Sequence, residues 1–481
     1  MRHNRDGEQK SYNLFGLFSL FILLGISSLY GGSFEDFKKA QSTSYQSFRE
    51  EKDAEFSQYM KQQWQEFEAL YSPALYEKPK PKTIPSSATA PIKPVGPKIT
   101  ITIPPSPTQP KYNTQPLEHK DISFSFFGAK IGFNIDDALK KARFYPTNQK
   151  GIVDFFTIMA SSNYSALIAD IKSYADELVL NDWGVYLLIK QLSEHIYDNR
   201  DEQRLFTWFV LNKLSYDVKI ALSHKHTLLL HKTKQMVYAA PNYTLNHQKY
   251  FLLGNYDANS IHRIFTYEQN YPQADKALDF KIEELPHFPY EPLNKEVQFT
   301  QNKKTYTFHY MLNENLIAFM KTYPQVDYEI YFNTPLSSQT YTTLAQDMKR
   351  YLNGKKASEA MNFVLHFVQK AFAYETDRQH FGKEKVMFAE ETLYYDKSDC
   401  EDRAVLFARL VKRLFGVGVV GVKYSNHMAT ALYIPLKGDS VRIGHKKFII
   451  ADPTYINANI GKSMPQYKSI QPEEFIYLSS K

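Results

Sequence analysis

Apolar and polar positions repeat along this chain with three different periods, and each period marks a different kind of element. Near the N-terminus, Leu14 to Tyr30 (LFGLFSLFILLGISSLY) is uncharged over 17 residues. Beyond it aromatic pairs recur every eleven residues: Phe34 with Phe37, Tyr45 with Phe48, Phe56 with Tyr59, and then Phe67 with Leu70. Eleven residues over three turns keep such pairs on one face of a nearly straight helix. With Ser33 as N-cap and Pro73 as stop, the pattern predicts an amphipathic helix over 34–72. From 119 to 290, IDDALKKARFY, SALIADIKSYADEL, WGVYLLIKQLSEHIY and DEQRLFTWFVLNKLSYDVKIAL carry apolar residues three and four apart, which predicts a mostly helical domain. TLLLHK, QMVYAA and KYFLLG add short strands to it, and Trp183 and Trp208 read as core. Near 295 the period falls to two. EVQFTQ, a turn at NKK, and TYTFHYML predict a β-hairpin, and QVDYEIYF a further strand, giving a small β unit over 291–339. EAMNFVLHFVQKAFAY restores helical spacing, and the last domain is placed at 340–481.

Composition changes this picture between 73 and 118. Residues 73–116 hold 12 of the 24 prolines and few large apolar side chains, which predicts an extended polyproline-type spacer without a core. The same stretch explains the charge. Of the net +7, a surplus of five lies between Glu77 and Lys120, in the spacer rather than on a folded face, which argues against a nucleic-acid partner. The uncharged run follows Arg2, Arg5 and Lys10, the pattern of a secretory signal or a membrane anchor over 1–33. Ser28 to Gly32 makes a poor small-x-small cleavage site, so the anchor stays open beside the cleaved signal. The chain is therefore expected outside the cytoplasm, in the periplasm or cell envelope, with residues 14–30 as the point of membrane association. The aromatic helix reads as a self-associating or docking element, since its polar face mixes acids with lysines where an anionic membrane surface would select positive charge.

One cysteine in 481 residues excludes an intramolecular disulfide and puts weight on its surroundings. They read YYDKSDCEDRAVLFARL. Asp399 is a good N-cap with Asp402 three residues on, and Ala404, Phe407, Ala408, Val411, Leu414 and Phe415 form one apolar stripe ended by Gly416. Cys400 thus falls at the first helical position, where free amides and the helix dipole favour a thiolate and can face an oxyanion. The acids at 399, 401 and 402 work against this. After the helix come three predicted strands, VGVVGVKY, one opening at His427 (MATALYIPL), and KKFIIAD ending in Asp452. Cysteine, histidine and aspartate, 27 and 25 residues apart at element ends, have the makings of a nucleophile, a general base and its orienting carboxylate. His445, in the Gly444-His445 turn, carries no such implication.

SDCEDRA, NHMATAL and IIADPTY resemble the transglutaminase-like superfamily, a papain-like group, and within it the bacterial transglutaminase-like cysteine peptidases of the cell envelope, over roughly residues 340–465. Ser398 departs from the glycine often found before Asp-Cys. The resemblance implies an α+β architecture with a papain/transglutaminase-like catalytic domain at the C-terminus, preceded by the helical domain, the Pro-rich linker and the long N-terminal helix. It implies a Cys400, His427, Asp452 triad acting on a protein or peptide amide, with Gln369 on the preceding helix as oxyanion candidate. No cofactor is required; in some relatives acids beside the cysteine bind calcium, which makes Glu401 and Asp402 candidate ligands besides helix caps. Hydrolysis by a peptidase or amidase is the expected outcome. A protein-crosslinking acyltransferase, a peptidoglycan amidase and a non-catalytic envelope scaffold remain alternatives.

Overall fold

The computed structural model describes residues 34–76, 78–103, 120–254 and 263–479, and the uncharged run at 14–30 lies outside them. Among the described residues no single helix is long and apolar enough to cross a membrane; one bent pair, Gln149–Ser161 with Tyr164–Glu177, passes by length and composition only. The chain is mixed α+β and divides into two units at Phe56/Ser57. In the first, the helix that starts at Phe34 carries Tyr45 and Phe48 exposed on its surface.

That helix is shorter than its sequence predicts. It ends at Met60, about 40 Å from its start at 1.5 Å per residue, because Trp64 folds back and donates its indole N–H to the Met60 carbonyl at 2.6 Å. The fourth aromatic pair is not helical at all. Gln65–Glu68 pairs antiparallel with Arg263–Thr266, and Leu70–Tyr71 pairs with Pro241–Leu245, so this short run supplies both edges of a seven-stranded sheet. The sheet's interior comes from Val218–Ser223, His226–Lys232 and Gln248–Leu252. Val218–Ser223 also departs from the helical expectation. The helix Arg200–Lys213 stops at Leu214, Ser215 adopts φ +70°, and the chain re-enters as a strand buried along its whole length. Of the predicted short strands, TLLLHK and KYFLLG form; QMVYAA contributes a single bridge, Val237 to Val326. Trp183 and Trp208 are core residues.

The predicted hairpin pairs Pro292–Gln301 with Lys304–Asn313 across ten residues a side. QVDYEIYF, by contrast, is a helix, Tyr328–Asn333, entered at Asp327, whose carboxylate accepts from the Met236 N–H and the Tyr238 hydroxyl. Phe332 of this helix packs so closely on Gly421 that a Cβ there would lie 2.8 Å from its ring.

Two helices and one sheet frame the last part of the chain. Helix Cys400–Phe415 begins after Asp399 and ends at Gly416, φ +64°. It packs on helix Ala357–Ala371 and on strands Val419–Tyr424 and His427–Leu432. These strands belong to an antiparallel sheet ordered Ser440–Ile443, Lys446–Ala451, His427–Leu432, Val419–Tyr424, Glu474–Tyr477. Arg403, buried, locks the two helices: its guanidinium donates to the carbonyls of Gln369 and Phe372 and to Ser398 Oγ. Ser398 Oγ is thereby tied to the buried guanidinium.

The described part of the proline-rich segment is no free spacer. Prolines leave it without regular ladder bonding, yet its other residues attach it to the globular unit at many points. Ser87 N–H donates to the Ile456 carbonyl, Ile99 N–H to Lys355, Val95 N–H to Ser358 Oγ, and Tyr374 donates its hydroxyl to the Pro81 carbonyl. Leu75, Tyr76 and Ile101 are buried. Residues 73–76 and 78–103 form a strap across the last part of the chain, and 77 and 104–119 lie outside the described residues.

Candidate functional site

His427 opens its strand opposite Tyr424, and Asp452 follows the strand that pairs with it, so antiparallel register sets the two side by side. His427 Nε2 meets Asp452 Oδ2 at 2.9 Å, with both side chains buried. The other carboxylate oxygen accepts the N–H groups of Thr454 at 2.9 Å and Tyr455 at 3.2 Å, which fixes the carboxylate plane. Bonding through Nε2 assigns Nδ1 as the nitrogen for any further partner. The imidazole stacks on Tyr467, centroids 4.7 Å apart, and Tyr467 on Tyr424. The Tyr467 hydroxyl is pushed up to about 12 by burial first and then by the charges of Cys400 and Asp452.

Cys400 sits at the first position of its helix, fully buried. Its Sγ donates to Glu401 Oε2 at 3.2 Å and lies 4.0 Å from the Tyr76 hydroxyl; the imidazole of His427 is not among its hydrogen-bond partners in the described residues. Burial pushes the thiol well above its ordinary value, Glu401 and Asp399 push it further, and Lys80 opposes them. The helix dipole, which alone would favour a thiolate, is outweighed.

Gln369 does not face an open oxyanion position. Both amide N–H groups donate to backbone carbonyls, of Asp452 and of Ala458, at 3.0 Å each, and its Oε1 meets His366 Nδ1. His366 in turn reaches Asn459 Oδ1 at 3.0 Å. This buried relay ties Gln369 to the backbone of Asp452 and to the turn after it.

The acids beside Cys400 also have assigned tasks. Asp402 accepts the Met387 N–H with one oxygen and the Asp399 N–H with the other, the capping alternative. Glu401 joins Asp377, Asp399 and Glu384 around a single cation, the Lys80 ammonium. Nζ lies 2.7 Å from Asp377 Oδ2, 2.7 Å from Asp399 Oδ2 and 3.0 Å from Glu384 Oε2, and it also contacts Glu401 Oε1. Burial works to lower the Lys80 pKa, but the charges of Asp399, Glu401 and Asp377 hold it well above the usual lysine value. Asp377 is raised to about 7, by burial and then by Asp399. Calcium takes six to eight oxygens at about 2.3–2.6 Å, and the point on which these oxygens converge is already taken by Nζ. The acids as arranged do not fit that ion.

Sequence reasoning missed Tyr76, Lys80 and Asp377. PKPK reads as solvated spacer, and nothing local announces that its first lysine, Lys80, is buried 297 residues upstream of its partner Asp377. A separate cavity of about 870 Å³, lined by Phe288, Leu316, Arg409 and Arg413 among others, contains none of the triad candidates. Comparison with protein-family models, with curated proteins and with solved structures finds no match to this chain.

Proposed function

We propose that this chain is an exported cysteine hydrolase of the transglutaminase-like, papain-like type, acting on an amide of a protein or peptide. The observation that carries the reading is the buried His427–Asp452 pair, bonded through Nε2 so that Nδ1 is left to accept a proton, on a strand that packs against the helix whose first residue is the only cysteine. The Cys400 thiol gives its proton to Nδ1 as sulfur attacks the carbonyl carbon. Charge developing on the carbonyl oxygen meets the free amides at the helix start. Collapse breaks the C–N bond, the imidazolium protonates the departing amine, and water releases the thioester as a carboxylate by the same proton route in reverse. Asp452 keeps the ring in the required tautomer throughout. Export through residues 1–33 and association with the envelope complete the proposal.

Iodoacetamide labelling tests it directly, because one cysteine means one signal. Alkylation of Cys400 between pH 5 and 8 should depend on His427, and cells carrying Cys400→Ala should lack a cleaved envelope protein present in wild type. Labelling that appears only above pH 8 and is unchanged in His427→Ala would sink the proposal. A second reading, a scaffold that retains the fold without the chemistry, is favoured by one observation: the thiol is covered by Tyr76 and bonded to Glu401 rather than to imidazole. The same labelling experiment separates the two.

A further inference from the structure

Lys80 is buried, flanked by Pro79 and Pro81, in a strap whose sequence reads as a solvated spacer. Its ammonium has four carboxylate neighbours, from Asp377, Glu384, Asp399 and Glu401. Oxygens of Asp377, Glu384 and Glu401 lie within 4.8 Å of one another, the spacing at which three acids can share one ion. Four carboxylates crowded together need a cation among them, since each bare charge out of water costs several kcal/mol. The acids come from the Asp377–His380 helix, the loop after it, and the start of the cysteine helix. The cation comes from about 300 residues earlier. Glu401 links the cage to the sulfur: its Oε1 contacts Lys80, and its Oε2 accepts from both Cys400 Sγ and the Tyr76 hydroxyl.

We infer that Lys80 is the resident cation of this site: its ammonium stands where a divalent ion would bridge Asp377, Glu384 and Glu401, so the strap, and not a bound metal, holds the start of the cysteine helix in place. Lys80 is then a positioning residue, acting on Cys400 through Glu401. The pro-rich segment gains a function that its composition hides, as a covalently attached counter-ion. The inference deepens the proposed function only in its consequence for Cys400. The cage itself would persist if Cys400 were no nucleophile.

The test uses the full-length chain and reads thermal unfolding in chelator and in millimolar calcium. Wild type should unfold at the same temperature in both. Lys80→Ala should unfold at lower temperature in chelator, and calcium should raise it, because an ion that binds only the folded state stabilises it. A lysine that merely packs its stem gives no calcium rescue. A wild-type chain stabilised by calcium, or a folded Lys80→Ala chain indifferent to it, overturns the inference. If Lys80→Ala folds only when calcium is present, the inference holds. If it folds in neither condition, terbium luminescence on wild type decides: saturable binding abolished by Asp377→Asn overturns the inference, and its absence supports it. None of these readouts depends on alkylation of Cys400, so failure of the cysteine chemistry and failure of the cage are distinguishable.

Discussion

Asp452→Asn isolates the contribution of the carboxylate to the site with little disturbance of the fold. Oδ1 of Asp452 accepts two backbone N–H groups, from Thr454 and Tyr455, and Oδ2 faces His427 Nε2. An asparagine keeps its oxygen on the two donors, because the flipped amide would set NH₂ against them. Its NH₂ then faces Nε2, which must accept, and the ring proton moves to Nδ1, the nitrogen that has to take the thiol proton. The lost charge-assisted bond contributes about 1.5–3 kcal/mol, or about 10- to 150-fold in rate. The wrong tautomer extends the loss toward the ~10⁴-fold seen for this change in Ser-His-Asp triads. We expect Cys400 alkylation in Asp452→Asn to be slower by about 10²- to 10⁴-fold near neutral pH, with the imidazole inflection gone from the pH profile. Thermal unfolding should stay close to wild type, since both backbone bonds survive. Coverage of the thiol by Tyr76 is common to both proteins and cancels in the ratio. A folded Asp452→Asn chain that alkylates at the wild-type rate with the wild-type profile would refute the assignment of Asp452 as the residue that sets the tautomer.

Three further outcomes follow from the geometry. Tyr76→Ala removes the buried side chain whose hydroxyl lies 4.0 Å from the sulfur, and should speed Cys400 alkylation, read by intact-mass spectrometry, whereas Tyr76→Phe, which keeps the bulk of the side chain, should change it far less. Arg403→Met leaves the Gln369 and Phe372 carbonyls without their buried donor and should lower stability by about 1–3 kcal/mol for each carbonyl left unpaired, read in urea titration. Asp377 is raised from the usual carboxylate range to about 7, so between about pH 4 and 7 the folded state binds more protons at this site than the unfolded state does. Its contribution is present below pH 4 and fades as pH rises through 7; wild-type stability measured relative to Asp377→Asn should fall across that window.

What could be read from the sequence was whatever local contacts determine. The cysteine helix announces itself through its apolar stripe, Asp399 and Gly416, and the hairpin at 292–313 through strict alternation and a short turn. The strands carrying His427 and Asp452 are legible for the same reason. Periodicity fails in short segments whose text fits either conformation: Val218–Ser223 is buried along its whole length despite Lys219, and Tyr328–Asn333 has apolar residues on both sides of Glu329, so only Ser215 and Asp327 mark where each begins. The eleven-residue aromatic period misled at Phe67 and Leu70, because pairing with Arg263–Thr266 and Pro241–Leu245, invisible locally, outweighed helical spacing. Gln369 is read from the resemblance as an oxyanion candidate, but the carbonyls its amide serves come from a turn about 85 residues downstream, and spacing alone says nothing of them. Lys80 and Tyr76 were missed because composition describes how a segment behaves alone, while ordering here is driven by charges supplied elsewhere.

The strap also redraws where this gene can be cut. Anyone seeking a minimal soluble fragment would discard everything before residue 120 as signal, stalk and tether, and start expression at the first globular text. That fragment would contain Cys400, His427 and Asp452, and still lack the lysine ammonium around which four acids are arranged. Its inactivity or poor yield would then be blamed on the wrong half of the protein.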